Sequence, residues 1–133
     1  MSSGPLPSTR CLLSELPSRQ VREKVRFLGC VTAYSMHSAR LTLEHQCPKG
    51  STVKASVDVK LLLQVLKSEQ TDIGQWVHVI GYITSAEMSA IADVVPLPEI
   101  RESICIGVQA LVIWEADGLD IASYEKSILA KAD

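Results

Sequence analysis

The stretch Lys24 to Tyr34, KVRFLGCVTAY, is the part of the sequence that decides the fold. Its residues fall into two alternating sets, and this period of two is typical of a β-strand with one buried face. Gly29 stands in the middle, where a residue without a side chain permits the sharp coiling that a small closed barrel needs. We therefore predict one long, coiled strand in which one face carries Val25, Phe27, Gly29, Val31 and Ala33 and the other Lys24, Arg26, Leu28, Cys30 and Thr32.

Two shorter strands follow on the carboxyl side of this stretch. Ala39 to His45 alternates in the same way, and so does Thr52 to Asp58. The connecting segments SMHS and CPKGS have the polar, proline- and glycine-bearing character of turns. Three strands joined by short turns predict an antiparallel meander.

The period then changes, which predicts a helix after the third strand. Four apolar residues, Val59, Leu62, Leu63 and Leu66, fall at helical spacing over about three turns. Asp58 stands before them as an N-cap.

The rest of the chain predicts two more strands and a second helix. Trp76 to Ile83 is the fourth strand and Ser103 to Glu115 the fifth. Between them, 84–103 has no regular period and is interpreted as a loop, with a helical turn or two over 86–92. Leu119 to Lys131 is the terminal amphipathic helix.

This order of elements is the arrangement of an OB fold. The predicted class is all-β with helices: a five-stranded OB barrel with a helix between strands 3 and 4 and a C-terminal helix. Residues 1–9 are predicted to be a disordered lead-in, 10–116 the barrel and 117–133 the terminal helix.

No pattern in the sequence points to catalysis, a metal or a cofactor. The three histidines are scattered, and no nucleotide-binding or nucleophile motif is present. The separations of Cys11, Cys30, Cys47 and Cys105 match no zinc-ribbon spacing and indicate reduced structural cysteines, with a metal site as the less favoured alternative. No apolar stretch approaches the roughly 20 residues of a membrane span, so no membrane partner is expected. The sequence predicts a binding module rather than an enzyme.

The candidate nucleic-acid residues lie on the predicted strands. OB barrels hold single strands on an outer face that combines basic grooves with aromatic platforms. A solvated outer face is the alternative, and a net charge of −2 with only 5% aromatic residues favours it. The candidates are Lys24, Arg26, Tyr34, Arg40 and Lys54.

The candidate partner-binding residues lie at the end of the chain. The terminal helix carries an apolar stripe that must be covered, either by its own barrel or by a partner. The fifth strand is apolar on both faces, which favours a partner. The candidates are Leu111, Ile113, Ile121, Tyr124 and Ile128.

Four blocks of the sequence resemble the fungal form of the smallest subunit of the CST telomere-capping complex, the Ten-one family. These blocks are KVRFLGCVTAY, ARLTLEHQ, VDVKLLLQVL and GQWVHVIGYI. The resemblance runs from about Leu12 to Ile83, and beyond that the match is one of pattern. It implies a single OB fold whose terminal helix, with Ile121, Tyr124 and Ile128, binds the complex's middle subunit in a heterodimer.

The resemblance also implies a biological setting. A complex of this kind, which includes a largest subunit, caps single-stranded telomeric DNA in the nucleus, limits telomerase and supports fill-in by DNA polymerase α–primase. The smallest subunit is expected to contact DNA weakly. The alternative is the small OB subunit of a complex like replication protein A.

Overall fold

The computed structural model describes residues 8–46, 53–90 and 102–129. Three 3₁₀ segments, Leu13–Ser18, Lys60–Leu62 and Ser68–Gln70, interrupt the order of strands. The strands and the α-helix are β1 (Thr9–Arg10), β2 (Lys24–Ser35), β3 (Arg40–Glu44), β4 (Val53–Asp58), β5 (Trp76–Ala90), β6 (Glu102–Glu115) and α1 (Ile121–Leu129).

Strands β2 to β6 form a closed barrel. β2 pairs with β5 through its first half and with β3 through its second half, and both pairings are antiparallel. β3 pairs antiparallel with β4, β4 parallel with β6, and β6 antiparallel with β5. The ring is therefore complete, and the five-stranded OB barrel predicted from the sequence is confirmed.

The barrel interior is apolar, and it follows the predicted alternation except in the second half of β2. There a bulge between Val31 and Ala33 leaves Ala33 exposed and brings Tyr34 against the core. Gly29 permits a close approach between β2 and β3, because a β-carbon there would stand only 2.8 Å from the β-carbon of Leu43. Leu13 and Leu16 of the first 3₁₀ segment fill the same core. The fully buried side chains include Val25, Phe27, Val31, Leu41, Leu43, Ala55, Val57, Val77, Val79, Ile106 and Val108.

The ordered chain begins earlier than the sequence analysis predicted. Thr9 and Arg10 pair in parallel with Val25 and Arg26, and the amide of Cys11 donates a hydrogen bond to the carbonyl of Arg26 at 3.0 Å. Placing Thr9 in the lead-in was therefore wrong, because β2 offers this segment an edge to pair with. Residues 1–7 lie outside the described residues.

A β-bulge in β6 corrects the predicted orientation of Ile113. The register with β5 shifts between Ile80 and Gly81, which leaves Leu111 as the extra residue on β6. A bulge exchanges the faces to which the following side chains point. Ile113 consequently points into the barrel interior and is buried, whereas Val112 faces outward with 47% of its surface exposed.

The connection between β4 and β5 has helical turns where an α-helix was predicted. The amides of Leu62 and Val65 bond to carbonyls three residues earlier, and the amide of Leu66 bonds to the carbonyl of Leu62, so short isolated turns replace a continuous α-helix. Val59 is buried and Leu66 packs against the core, but Leu63 is 51% exposed. Segments this short are marginal as isolated helices, and with too few side chains packed on the barrel the α-helix does not form.

The predicted loop between the fourth and fifth strands is largely a β-hairpin. β5 continues to Ala90, and its last residues pair with β6 as far as Ala90 with Glu102. The predicted helical turn over 86–92 is therefore wrong for 86–90, while 91–101 lies outside the described residues. The extension lacks apolar alternation, so its sequence does not show the period of a strand.

Candidate partner interface and nucleic-acid face

The helix α1 packs on the outer surface of its own barrel. Tyr124 and Ile128 are buried there against Leu12 and Leu28, and these four residues form a cluster separate from the barrel interior. This is the alternative that the sequence analysis did not favour. The helix packs on its own barrel because Leu28, on the outward face of β2, forms with Leu12 an apolar patch, which one stripe of the helix covers.

Asp120 starts the helix. Its carboxylate accepts hydrogen bonds from the amide of Ser123 at 3.3 Å and from the Ser123 hydroxyl at 2.9 Å. These bonds lower the pKa of Asp120, as does Lys126 in the last turn. The helix therefore begins at Ile121, two residues after the predicted start at Leu119, because the N-cap sets its boundary.

Two polar contacts fasten the helix at its flanks. On the β3 side, Oε2 of Glu125 lies 2.6 Å from Nε2 of His45, whose side chain is almost fully buried. On the β1 side, the guanidinium of Arg10 donates to the hydroxyl of Ser127 at 2.7 Å. The orientation of α1 is thus determined by hydrogen bonds as well as by apolar packing.

A row of rings and guanidinium groups continues from the helix across the barrel. Arg10 lies 5.1 Å from the centre of the Tyr124 ring, and His78 meets that ring edge-on at 5.8 Å. His78 is stacked on Trp114 at 5.0 Å, and the guanidinium of Arg26 lies 5.3 Å from the centre of the indole. Cation–π contacts of this geometry are favourable.

The surroundings of this row keep its titratable groups neutral. Burial lowers the pKa of His78, and the nearby guanidinium groups of Arg26 and Arg10 lower it further. Burial raises the pKa of Tyr124, which keeps its hydroxyl protonated. The helix side of the barrel therefore combines neutral rings with two permanent positive charges.

Beside this row the barrel presents a partly exposed apolar surface. Register places Arg26, Ile80 and Val112 next to one another across β2, β5 and β6. Ile80 and Leu111 are partly exposed, and Val112 is more so. Sequence reasoning missed Val112 because the bulge reverses the alternation of the strand. The only sign of the bulge in the sequence is Gly81 on the neighbouring strand, where a β-carbon would collide with the carbonyl oxygen of Gln109.

The five predicted nucleic-acid residues do not share one face. Lys24 and Arg26 belong to the half of β2 that pairs with β5, whereas Arg40 and Lys54 lie on β3 and β4. Tyr34 is partly buried and packs against the barrel interior.

The two cations on β3 and β4 have partners within the barrel. Arg40 donates to the hydroxyl of Ser56 at 3.2 Å, and Nζ of Lys54 lies 3.9 Å from a carboxylate oxygen of Glu44. The hydroxyl of Ser56 leaves the charge of Arg40 uncompensated, and Lys54 makes only a loose contact, so neither cation is neutralised by a close ion pair.

The described residues offer neither a metal site nor a membrane-spanning helix. Within 8–46, 53–90 and 102–129, no group of three or more histidine, cysteine or acidic side chains could hold a metal ion. In the same ranges no helix has the length and apolar character to cross a bilayer. Cys11, Cys30 and Cys105 are free thiols, and burial raises the pKa of Cys11 to about 11. Cys47 lies outside the described residues.

Among solved structures, two from S. pombe are similar to this chain. The Stn1–Ten1 complex contains a chain that is 20% identical, with a TM-score of 0.68 and coverage of 98% of both chains. The telomere-capping protein Ten1 is 18% identical, with a TM-score of 0.66 and coverage of 94% of this chain and 97% of that one. At these identities the similarity establishes the fold.

The comparison with family models is the more specific one. No curated protein gives a significant match. The model of the Ten1 family, described as a telomere-capping subunit of the CST complex, matches residues 1–129, which is nearly the whole chain. This chain belongs to the Ten1 family of telomere-capping CST complex subunits.

Proposed function

We propose that this chain pairs with the middle subunit of a CST complex, and that the pair holds single-stranded telomeric DNA in the nucleus. Family membership supports the setting, and the S. pombe structure described as an Stn1–Ten1 complex supports the heterodimer. Association with the largest subunit and support of fill-in by polymerase α–primase belong to the same proposal.

The observation that carries the proposal is the surface beside the helix, which we call the helix-side face. It consists of the partly exposed residues Arg26, Ile80, Leu111, Val112 and Trp114 together with the solvent-exposed side of α1. Apolar and aromatic groups rimmed by arginine are the composition enriched in protein interfaces.

The helix contributes to this face indirectly. Tyr124 and Ile128 are buried against the chain's own barrel, so their part in partner binding is to position α1. The side of the helix turned to solvent carries Ala122, Ser123 and Lys126. Of these, Ala122 and Ser123 are small, and small side chains shorten the distance at which another helix can pack.

DNA binding by this chain alone should be weak. A net charge of −2 gives no general attraction for phosphate, and of the predicted basic residues β3 and β4 carry only Arg40 and Lys54. Phosphate contacts dominate the affinity for single strands. The chain therefore adds at most a few contacts to those made by its partner.

The heterodimer is tested with Val112→Glu, and Leu63→Glu is the matched control. The two residues are similarly exposed, at 47% and 51%, but Leu63 lies on the connection between β4 and β5. We expect Val112→Glu to weaken binding of the purified middle subunit at least about tenfold, because a charge is buried at the interface. Leu63→Glu should bind normally, and both variants should keep the wild-type melting temperature.

Equal affinity of the two variants would remove the helix-side face from the proposal. Isolation of the chain with its native partner, followed by mass spectrometry of that partner, separates a CST complex from a replication protein A-like one. Recovery of a replication protein A subunit in place of the middle CST subunit would overturn the assignment.

The contribution to DNA binding is tested in the assembled complex with Arg40→Gln and Lys54→Gln together. We expect the double variant to bind single-stranded DNA more weakly, because Arg40 has only a hydroxyl as its partner and the contact of Lys54 with Glu44 is loose. The slope of log affinity against log salt concentration should become shallower by about 1.4 for the double variant, since each phosphate contact contributes about 0.7 to that slope. An unchanged salt slope would show that these residues do not touch the strand.

A further inference from the structure

We propose that a groove on the other flank of the helix binds an arginine-bearing segment of a partner protein. The groove lies between α1 and strands β2 and β3, with a volume of about 420 Å³. That volume is within the range of about 300–1,000 Å³ seen for binding pockets. Its walls are formed by Cys30, Thr32, Glu44, His45, Gln46, Trp76, Ile121 and Glu125.

The charge of the groove selects a cation. The carboxylates of Glu44 and Glu125 both line it, and their side chains are 27% and 26% exposed. Lys54 faces Glu44 across the β3–β4 ladder, with 44% of its side chain exposed and a loose contact of 3.9 Å. Such a contact is worth little, so a well-placed guanidinium can replace it.

The acidic groups are held in place before a ligand arrives. Glu125 is fixed by its short contact with the buried His45, at 2.6 Å. The other ring nitrogen of His45, Nδ1, has no hydrogen-bond partner among the residues that the structure describes. A preorganised carboxylate binds a cation without first losing side-chain freedom.

The apolar part of the groove favours arginine over lysine. Trp76 and Ile121 line it, and Trp76 is fixed by a perpendicular contact with His45 at 5.2 Å. Arginine presents an apolar stem and a planar guanidinium that stacks on an indole while it forks onto a carboxylate. A lysine ammonium makes neither the stack nor the fork.

The groove is poorly suited to a nucleic acid and is separate from the helix-side face. A phosphate group that entered it would approach two carboxylates and be repelled. Arg26, Val112 and Trp114 do not line the groove, which opens on the β3 side of α1. A partner could therefore occupy the groove while the middle subunit occupies the helix-side face.

The test is a titration of the ¹⁵N-labelled full-length chain, followed by NMR, with the acetylated amide of the tripeptide Leu-Arg-Leu. We expect shifts of the backbone amides that line the groove, and no such shifts with the same peptide carrying citrulline, the neutral isostere of arginine. The combined substitution of Glu44→Gln and Glu125→Gln should weaken binding about fivefold to tenfold. Lys54→Gln should strengthen it, because the competing cation is removed.

Three results would overturn the proposal. They are the absence of shifts at millimolar peptide, equal binding of the citrulline peptide, and equal shifts of the same amides with a single-stranded oligonucleotide. Because the titration uses this chain without the middle subunit, its failure would leave the heterodimer proposal intact. Failure of the Val112→Glu test would likewise leave the groove untouched.

Discussion

The described chain has two buried regions, the barrel interior and the helix seam, and they are built differently. The helix seam is the cluster of Leu12, Leu28, Tyr124 and Ile128. The interior is almost entirely aliphatic and follows the alternation of the strands. The seam is small and is bordered by hydrogen bonds, a guanidinium and two histidines. The interior therefore determines the fold, whereas the seam determines where α1 lies.

The difference explains what each region is for. An aliphatic interior can be closed by any side chains of suitable volume. A seam with directional contacts holds its helix in one orientation, which an interface for a specific partner requires.

The largest expected effect is in the interior, with Phe27→Ala. Phe27 is fully buried, and its removal leaves a cavity that costs about 3–5 kcal/mol. This is a large part of the stability of a small domain. Urea denaturation followed by circular dichroism should show the loss, and a change below about 1 kcal/mol would mean that this region is not the principal core.

The next effect is in the seam, with Tyr124→Ala. Loss of the ring should cost about 2–3 kcal/mol in docking of the helix. The amides of α1 should exchange with deuterium at least about tenfold faster, while those of β2 to β4 keep their protection. Tyr124→Phe retains the ring and is the control. Uniformly faster exchange throughout the barrel would show that seam and interior are a single cooperative unit.

The sequence predicted the interior far better than the seam, for reasons visible in particular residues. Val25, Phe27 and Val31 alternate, and alternation is read directly from one strand. Leu28 stands on the opposite face of that strand, and its burial is explained by a cluster with Leu12, Tyr124 and Ile128, residues that are distant from it in sequence.

The candidate sites were predicted less well than the fold. Burial of Ile113 and exposure of Val112 depend on a bulge whose only trace is a glycine in the neighbouring strand. The basic residues were predicted as one face because each strand was treated alone. The coiling of β2 places Arg26 on one side of the barrel, while Arg40 lies on β3 and Lys54 on β4.

A smaller effect is expected from the bond between His45 and Glu125. A double-mutant cycle with His45→Ala and Glu125→Ala isolates the interaction from the cost of each substitution. We expect a coupling energy of about 1 kcal/mol in urea denaturation. A value near zero would mean that this contact does not help to orient the helix.

The smallest effect is a pH dependence from His78. Burial and two guanidinium groups hold its pKa in the folded chain below the ordinary value of 6.5. The folded chain therefore binds fewer protons than the unfolded chain as the pH falls through this region, and its stability decreases. His78→Phe keeps a ring between Trp114 and Tyr124, and should reduce the loss of stability between pH 7.5 and 5. An identical pH profile would contradict this role.

The central claim is that the partner binds at the helix-side face. Its most direct test is to compare the hydrogen–deuterium exchange of the free chain with that of the chain in complex with the middle subunit. We predict new protection in α1 and in the parts of β5 and β6 around Ile80 and Val112, with β3 and β4 unchanged. Protection confined to β3 and β4, with α1 unchanged, would contradict the account.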